Sequence, residues 1–205
     1  MFEFASLPAE TLPVLGMFSA LLSLAAYAPY IRDTLYGATE PQRASWLIWS
    51  CLSAIAFCGQ LSEGASQSLW FAGAQVTGTV IITLLSIRRG KGSFLTRPDE
   101  RVLWLALIGV IVWYFTETAA YALAMTITIS LLGGALTIIK AYRAPESETA
   151  KTWVMSFIAA CFALASVGTV DWVLLAYPLY LFVLNGAIIC ALALGRAAAA
   201  RPAIY

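Results

Sequence analysis

A few uncharged polar side chains interrupt the long apolar stretches of this chain, and they are the residues best placed to do chemistry. Asn185, the only asparagine, lies in an apolar run near the C-terminus, and Gln75 and Thr77 lie in a similar run about 110 residues earlier. In an apolar medium, amides and hydroxyls bind polar solutes or hydrogen-bond neighbouring helices. These residues therefore predict either a solute path or contacts that join helices.

A second set of residues combines aromatic rings with hydrogen-bonding groups. Five residues follow i, i+3, i+7, i+10 and i+14 spacing on one stripe of a predicted helix: Trp46, Trp49, Ser53, Ala56 and Gln60. Ring faces beside amides and hydroxyls suit a sugar, a nucleoside or another flat or polyhydroxylated solute. For Trp46 and for Trp153, which lie near basic residues, anchoring at the membrane interface is the favoured interpretation. The candidate solute-binding residues are Asn185, Gln75, Thr77, Trp49, Ser53 and Gln60.

The remaining composition argues against an enzyme. There is no histidine, which removes imidazole catalysis and histidine metal sites, and the four cysteines lie in apolar runs without a CxxC pair. Every Asp and Glu bounds an apolar run, so we expect all of them at the water interface, with no metal, no cofactor and no buried acid to couple transport to protons. A net charge of +1 gives no reason to expect nucleic-acid binding.

The elements that must position these residues are long apolar runs. The chain is 61% hydrophobic and 11% charged, and its uncharged runs are 11–31, 44–62, 64–87, 102–116, 118–139, 152–170 and 172–195. A bilayer core is crossed by roughly 20 helical residues. The sequence therefore predicts an all-α membrane protein with seven transmembrane helices.

The charges predict an orientation. With seven helices, all twelve Lys and Arg residues fall on one side of the membrane. The other side holds only acids: Glu3, Glu10, Glu63, Glu117 and Asp171. Because cytoplasmic connections are rich in Lys and Arg, we expect an inner-membrane protein with its N-terminus outside and its C-terminus in the cytoplasm.

The run lengths indicate an internal repeat. Runs of 21, 19 and 24 residues recur as 22, 19 and 24 around a central run of 15. Ser45–Trp46 corresponds to Thr152–Trp153, and Gly78 corresponds to Gly186. An odd central helix makes the two triplets parallel repeats, so we expect a 3+1+3 arrangement. Its parts are a first repeat at 1–87, a basic loop and linker helix at 88–116, and a second repeat with a short tail at 117–205.

One segment carries a family resemblance. Residues 29–39, beginning Pro29–Tyr30–Ile31–Arg32, and the following Ser45–Trp46 resemble the PQ-loop superfamily, which includes the SWEET sugar transporters. The segment is most similar to a group of uncharacterised bacterial seven-helix membrane proteins. The resemblance implies two parallel triple-helix bundles joined by a linker helix, and a pocket asparagine at the position of Asn185. Pro41–Gln42 lies in a turn and is not the family's motif.

Together these features predict a membrane carrier of a small sugar-, nucleoside- or metabolite-like solute, working by uncoupled alternating access. Pro29 and Pro178 lie within predicted helices, where a missing backbone hydrogen bond permits a hinge. The expected partners are the lipid bilayer and the solute; the resemblance also allows a homo-oligomer. The alternative is a receptor, binding or scaffold protein on the same fold, without transport.

Overall fold

Most of the described part of the chain is helical. The computed structural model describes Pro8 and residues 10–62, 67–93, 104, 108, 111, 119–168 and 172–200. These residues form six long helices: α1 Thr11–Tyr36, α2 Arg43–Ser62, α3 Gln67–Arg89, α4 Ala119–Arg143, α5 Ala150–Ser166 and α6 Trp172–Ala199. A short 3-10 helix, Pro145–Ser147, lies between α4 and α5. The single β-type pairing among the described residues is an isolated bridge between Gln42 and Lys91.

Three of these helices are long and apolar enough to cross a membrane, judged by length and composition within the described part of the chain. They cover Thr11–Tyr36, Trp70–Arg89 and Leu175–Ala199, and α5 is a shorter apolar helix. The prediction of an all-α chain with membrane-length helices is confirmed at this level. The predicted run 102–116 falls outside the described residues except at Trp104, Ile108 and Ile111, which are helical.

In chain order the six helices divide into a first group, α1 to α3, and a second group, α4 to α6. In the first group α3 contacts both α1 and α2, and in the second group α6 contacts both α4 and α5. The two groups meet where α1 packs on α5 and α2 packs on α4. Each group thus has its third helix between the other two, and a seam bounded by all six helices runs between the groups.

Glycines allow the close approach of α3 to α1 and of α6 to α5. A Cβ atom added at Gly78 would overlap the ring of Tyr27. One added at Gly186 would lie 3.3 Å from Cε2 of Phe157. Small residues of this kind let membrane helices bring their backbones together, so the correspondence of Gly78 with Gly186 in the sequence reflects two tight helix contacts.

Two connections that are flanked by cations, such as Arg43 and Lys140, meet at one end of the molecule, here called the connector end. Connector one (residues 37–42) begins at Gly37, whose φ of 77° ends α1, with the Ala38 N–H bonded to the Asp33 carbonyl at 2.8 Å. This is a Schellman termination, which needs a left-handed residue. Connector two (residues 144–149) touches connector one through a 3.2 Å bond from the Glu40 N–H to the Ser147 carbonyl.

Arg43 joins α2 to the end of α3 at the connector end. Its guanidinium donates to the carbonyls of Ser86 at 2.9 Å and Gly92 at 2.8 Å. Cationic side chains commonly satisfy the last carbonyls of a helix in this way. The first group is therefore held as a unit at the same end at which the two connectors meet.

Candidate functional site

A cavity lies on the seam between the two groups of helices. Every one of the six helices contributes to its wall: Tyr27 of α1, Trp49 of α2, Gln75 of α3, Ser130 of α4, Trp153 of α5 and Asn185 of α6. The volume of the cavity is about 60 Å³. That is room for about four waters at ~15 Å³ each. Every described side chain that lines it is aromatic, aliphatic or neutral polar.

Three indoles and three tyrosines form the aromatic part of the wall, and the indoles pack against one another. The ring centroids of Trp46 and Trp49 are 5.2 Å apart and nearly perpendicular, and Trp153 lies 6.3 Å from Trp46 and 6.2 Å from Trp49. Their N–H groups are already engaged: that of Trp46 donates to the Tyr30 hydroxyl at 3.1 Å and that of Trp49 to the Ser130 carbonyl at 3.3 Å. What these rings can offer an occupant is therefore apolar and π surface.

The burial of two of these indoles contradicts an expectation from the sequence. Trp46 and Trp153 were expected to anchor the chain at the membrane interface, but they are only 3% and 4% exposed. Both face the interior because their N–H groups have protein acceptors and their rings pack on each other and on Tyr30. The interfacial interpretation is wrong for both residues.

Amides and hydroxyls form the polar part of the wall. Tyr27 donates to Oε1 of Gln75, and the hydroxyls of Ser53 and Thr79 share a bond of 2.9 Å. Asn185 donates from Nδ2 to the Leu181 carbonyl at 2.7 Å in its own helix, which uses one of its two amide hydrogens. These bonds orient the groups while leaving hydrogen-bonding capacity for an occupant.

Thr152 is a lining residue with an unsatisfied polar group. Its hydroxyl is buried and has no hydrogen-bond partner within the described part of the chain. A buried polar group without a partner costs about 1–3 kcal/mol. The buried hydroxyls of Thr34 and Thr137, which do not belong to the cavity wall, also lack partners there, so this hydroxyl does not by itself indicate an occupant.

One face of α3 points inward. Thr79, Ile82 and Ser86 are buried, and Gln75 and Thr79 line the cavity. On α4, Ser130 and Gly133 face α2: the Ser45 hydroxyl donates to the Gly133 carbonyl at 2.8 Å. Packing is therefore one role of this face of α4, and Ser130 also belongs to the cavity wall.

The structure brings four of the six candidate solute-binding residues to this cavity: Asn185, Gln75, Trp49 and Ser53. Thr77 is exposed, and its hydroxyl donates to the Gly73 carbonyl one turn earlier at 2.8 Å. The side chain of Gln60 lies outside the described residues. Pro29 and Pro178 lie inside α1 and α6, with helix on both sides of each.

A buried ion pair lies where the sequence indicated only surface charge. The ammonium of Lys140 is 2.8 Å from Oε1 of Glu148, and their side chains are 8% and 0% exposed. The expectation that every acid lies at the water interface is therefore wrong for Glu148. Connector two folds inward over the end of the bundle because Lys140 and Trp153 provide partners for the carboxylate there.

This pair is joined to the cavity wall. The second carboxylate oxygen of Glu148 accepts the indole N–H of Trp153 at 3.0 Å, and the Tyr30 hydroxyl also bonds the carboxylate. Burial raises the pKa of the Glu148 carboxyl above the ordinary glutamate value, and the Lys140 ammonium acts in the opposite direction. A charge on connector two is thus one hydrogen bond away from a ring in the cavity.

No family model, curated protein sequence or solved structure matches this chain.

Proposed function

We propose that this chain is a membrane carrier that moves a small, uncharged polar solute by alternating access. The two moving bodies are the first and second groups of helices, completed by a linker helix in a seven-helix, 3+1+3 arrangement of PQ-loop type. The repeats are 1–87 and 117–205, with 88–116 between them. The carrier lies in the inner membrane with the connector end in the cytoplasm, because the cations of the connections gather there.

The single observation that carries the proposal is the position of the cavity. It lies on the seam between two groups that share the same internal packing, and all six helices reach it. A site between two repeats is where rocking of one body against the other changes access from one side to the other. A site within one group would not experience that change.

The wall indicates the kind of solute. Indole faces pack against flat or apolar surfaces, while Gln75, Asn185 and Thr152 offer both donors and acceptors. An ion would need a counter-charge to offset its desolvation, and no described residue of the wall is charged. Sugars, nucleosides and comparable neutral metabolites combine the required polar edges and apolar faces.

The size of the cavity implies a closed state. Sites for drug-sized ligands span about 300–1,000 Å³, well above the space for about four waters found here. A sugar-sized solute therefore enters only when the two groups move apart along the seam. Pro29 and Pro178 are the proposed hinges for that movement, since each removes a backbone hydrogen bond within a long helix.

The test is facilitated flux in liposomes that carry the purified protein. A panel of labelled monosaccharides, nucleosides and polyols is offered, and we expect saturable uptake of at least one of them. Asn185→Ala should lower that uptake about tenfold by removing an amide worth about 1.5 kcal/mol. Cys190→Ala, an exposed change on the same helix, is the matched control. Saturable binding without flux would contradict the carrier and favour a binding protein.

A further inference from the structure

The two connectors are tied together by bonds that cross from one group of helices to the other. Thr149 donates to the Asp33 carboxylate at 3.0 Å and shares a 2.6 Å hydroxyl bond with Thr39. The Glu40 N–H donates to the Ser147 carbonyl at 3.2 Å. Because each bond joins the first group to the second, none of them can survive a separation of the groups at this end.

Lys140 adds a cation to these ties. Its ammonium donates to the Glu40 carbonyl on connector one, to the Ser147 carbonyl at 3.2 Å, and to Glu148 at 2.8 Å. A buried ammonium needs a counter-charge, and Glu148 supplies it. Without that carboxylate, Lys140 would leave for water and release its bond to connector one.

Glu148 also connects this end to the cavity. It holds the indole of Trp153, whose ring lines the cavity and packs 6.1 Å from Tyr30 of the first group. Movement of that indole by an occupant would weaken a bond to the same carboxylate that retains Lys140. The Glu148 carboxylate therefore bonds both to a residue of the cavity wall, Trp153, and to a member of the connector ties, Lys140.

We infer that these ties form a latch that closes the cavity at the connector end, and that Glu148 is its positioning residue. The latch consists of Asp33, Thr39, Glu40, Lys140, Ser147, Glu148 and Thr149. It rests on the proposed carrier function in one respect, namely that the latched end opens during a transport cycle. The charge of Glu148 keeps the two groups together, and an occupant that displaces Trp153 favours opening.

The experiment measures the separation of the two connectors directly. Nitroxide labels are attached at Ala38→Cys and Arg143→Cys, both exposed positions, in a full-length background whose four native cysteines are alanine. Distances are recorded by pulsed electron paramagnetic resonance in lipid nanodiscs. The parent should show mainly the short, latched distance.

Glu148→Gln should raise the ratio of long to short distances by about tenfold or more, because it leaves a buried ammonium unpaired. The matched control is Glu146→Gln, an exposed glutamate on the same connector, which should leave the distribution unchanged. The double variant Lys140→Met/Glu148→Met removes both charges and should restore the short distance relative to Glu148→Gln. Because removing both charges also restores stability, the free energy of unfolding is measured for each variant, and the latch predicts a change in distance in protein that is fully folded.

An unchanged distribution in folded Glu148→Gln protein would overturn the latch. If that variant does not fold, Thr149→Val, which deletes the bonds to Asp33 and Thr39 at constant side-chain shape, must lengthen the distance; if it does not, the inference is again wrong. Solute flux in liposomes without any lengthening of the distance would support the carrier and contradict the latch. Lengthening of the distance without solute flux would support the latch and contradict the carrier.

Discussion

At the residue scale, one indole joins the two functional parts of the molecule. Trp153 presents its ring to the cavity and its N–H to Glu148, whereas Trp46, its counterpart in the repeat, donates to the neutral hydroxyl of Tyr30. The two tryptophans thus have similar burial but different acceptors. Hydrogen bonds to charged groups contribute about 1.5–3 kcal/mol and neutral ones about 0.5–1.5 kcal/mol.

This difference predicts unequal costs for the same substitution. Trp153→Phe should lower the free energy of unfolding by about 1 kcal/mol more than Trp46→Phe, because it leaves a buried carboxylate with one donor fewer. Chemical denaturation in detergent, followed by circular dichroism, measures both values. Equal losses would show that the Trp153–Glu148 bond adds nothing beyond a neutral contact.

Sequence reasoning reached four of the cavity residues, and it misjudged Thr77 and Glu148 for different reasons. Gln75 and Thr79 are four residues apart and share a helix face, and Thr77, two residues from each, must point away. Helical periodicity alone could have excluded Thr77 from the candidate solute-binding residues. Glu148 carried no such signal, since a charged residue in a short connection is ordinarily solvated. Only the inward fold of connector two buries it.

At the element scale, the apolar runs located the helices well and their ends less well. The run 11–31 stops at the first charge, yet α1 continues to Tyr36, because nothing ends the helix before Gly37. Likewise α4 continues past Lys140 to Arg143. Charges mark the limit of apolar surface, whereas α1 ends at a glycine that adopts the left-handed conformation.

Helix contacts within the first group depend on Gly78. Gly78→Ala should lower stability by about 1–3 kcal/mol, because the new methyl group overlaps the Tyr27 ring and forces α1 and α3 apart. Gly73 lies about one and a half turns before Gly78 on α3. A Cβ atom added there by Gly73→Ala would lie 3.6 Å from Cε2 of Phe57, an ordinary van der Waals distance. This substitution should be neutral or stabilising by up to about 1 kcal/mol, the helix propensity difference.

Thermal unfolding of both variants in one detergent gives the comparison. If Gly78→Ala is as stable as Gly73→Ala, the close contact between α1 and α3 is not a feature of the folded protein. If both variants are destabilised equally, the loss of stability does not come from the contact between Gly78 and Tyr27.

At the scale of the whole molecule, the two groups of helices show the same order of contacts, while the repeat indicated by the run lengths stays a prediction. The third helix of each group lies between the other two, and the groups meet through equivalent but exchanged partners, α1 with α5 and α2 with α4. The cavity on this seam could not be located from the sequence, because it depends on which helices become neighbours across the groups. The stripe of Trp49 and Ser53 indicated only one part of its wall.

The cavity at the seam is the central claim, and access to it can be measured without knowing the solute. Ser53→Cys, in a background free of native cysteines, places a thiol in the cavity wall. Ala160→Cys, at the position that corresponds to Ser53 in the predicted repeat, places one in a buried position that does not line this cavity. Vesicles of both orientations are treated with a membrane-impermeant maleimide. Alternating access predicts that Ser53→Cys is labelled from either side of the membrane and that Ala160→Cys is labelled from neither. Labelling of Ser53→Cys from one side only, or from neither, would contradict a carrier that works through this cavity.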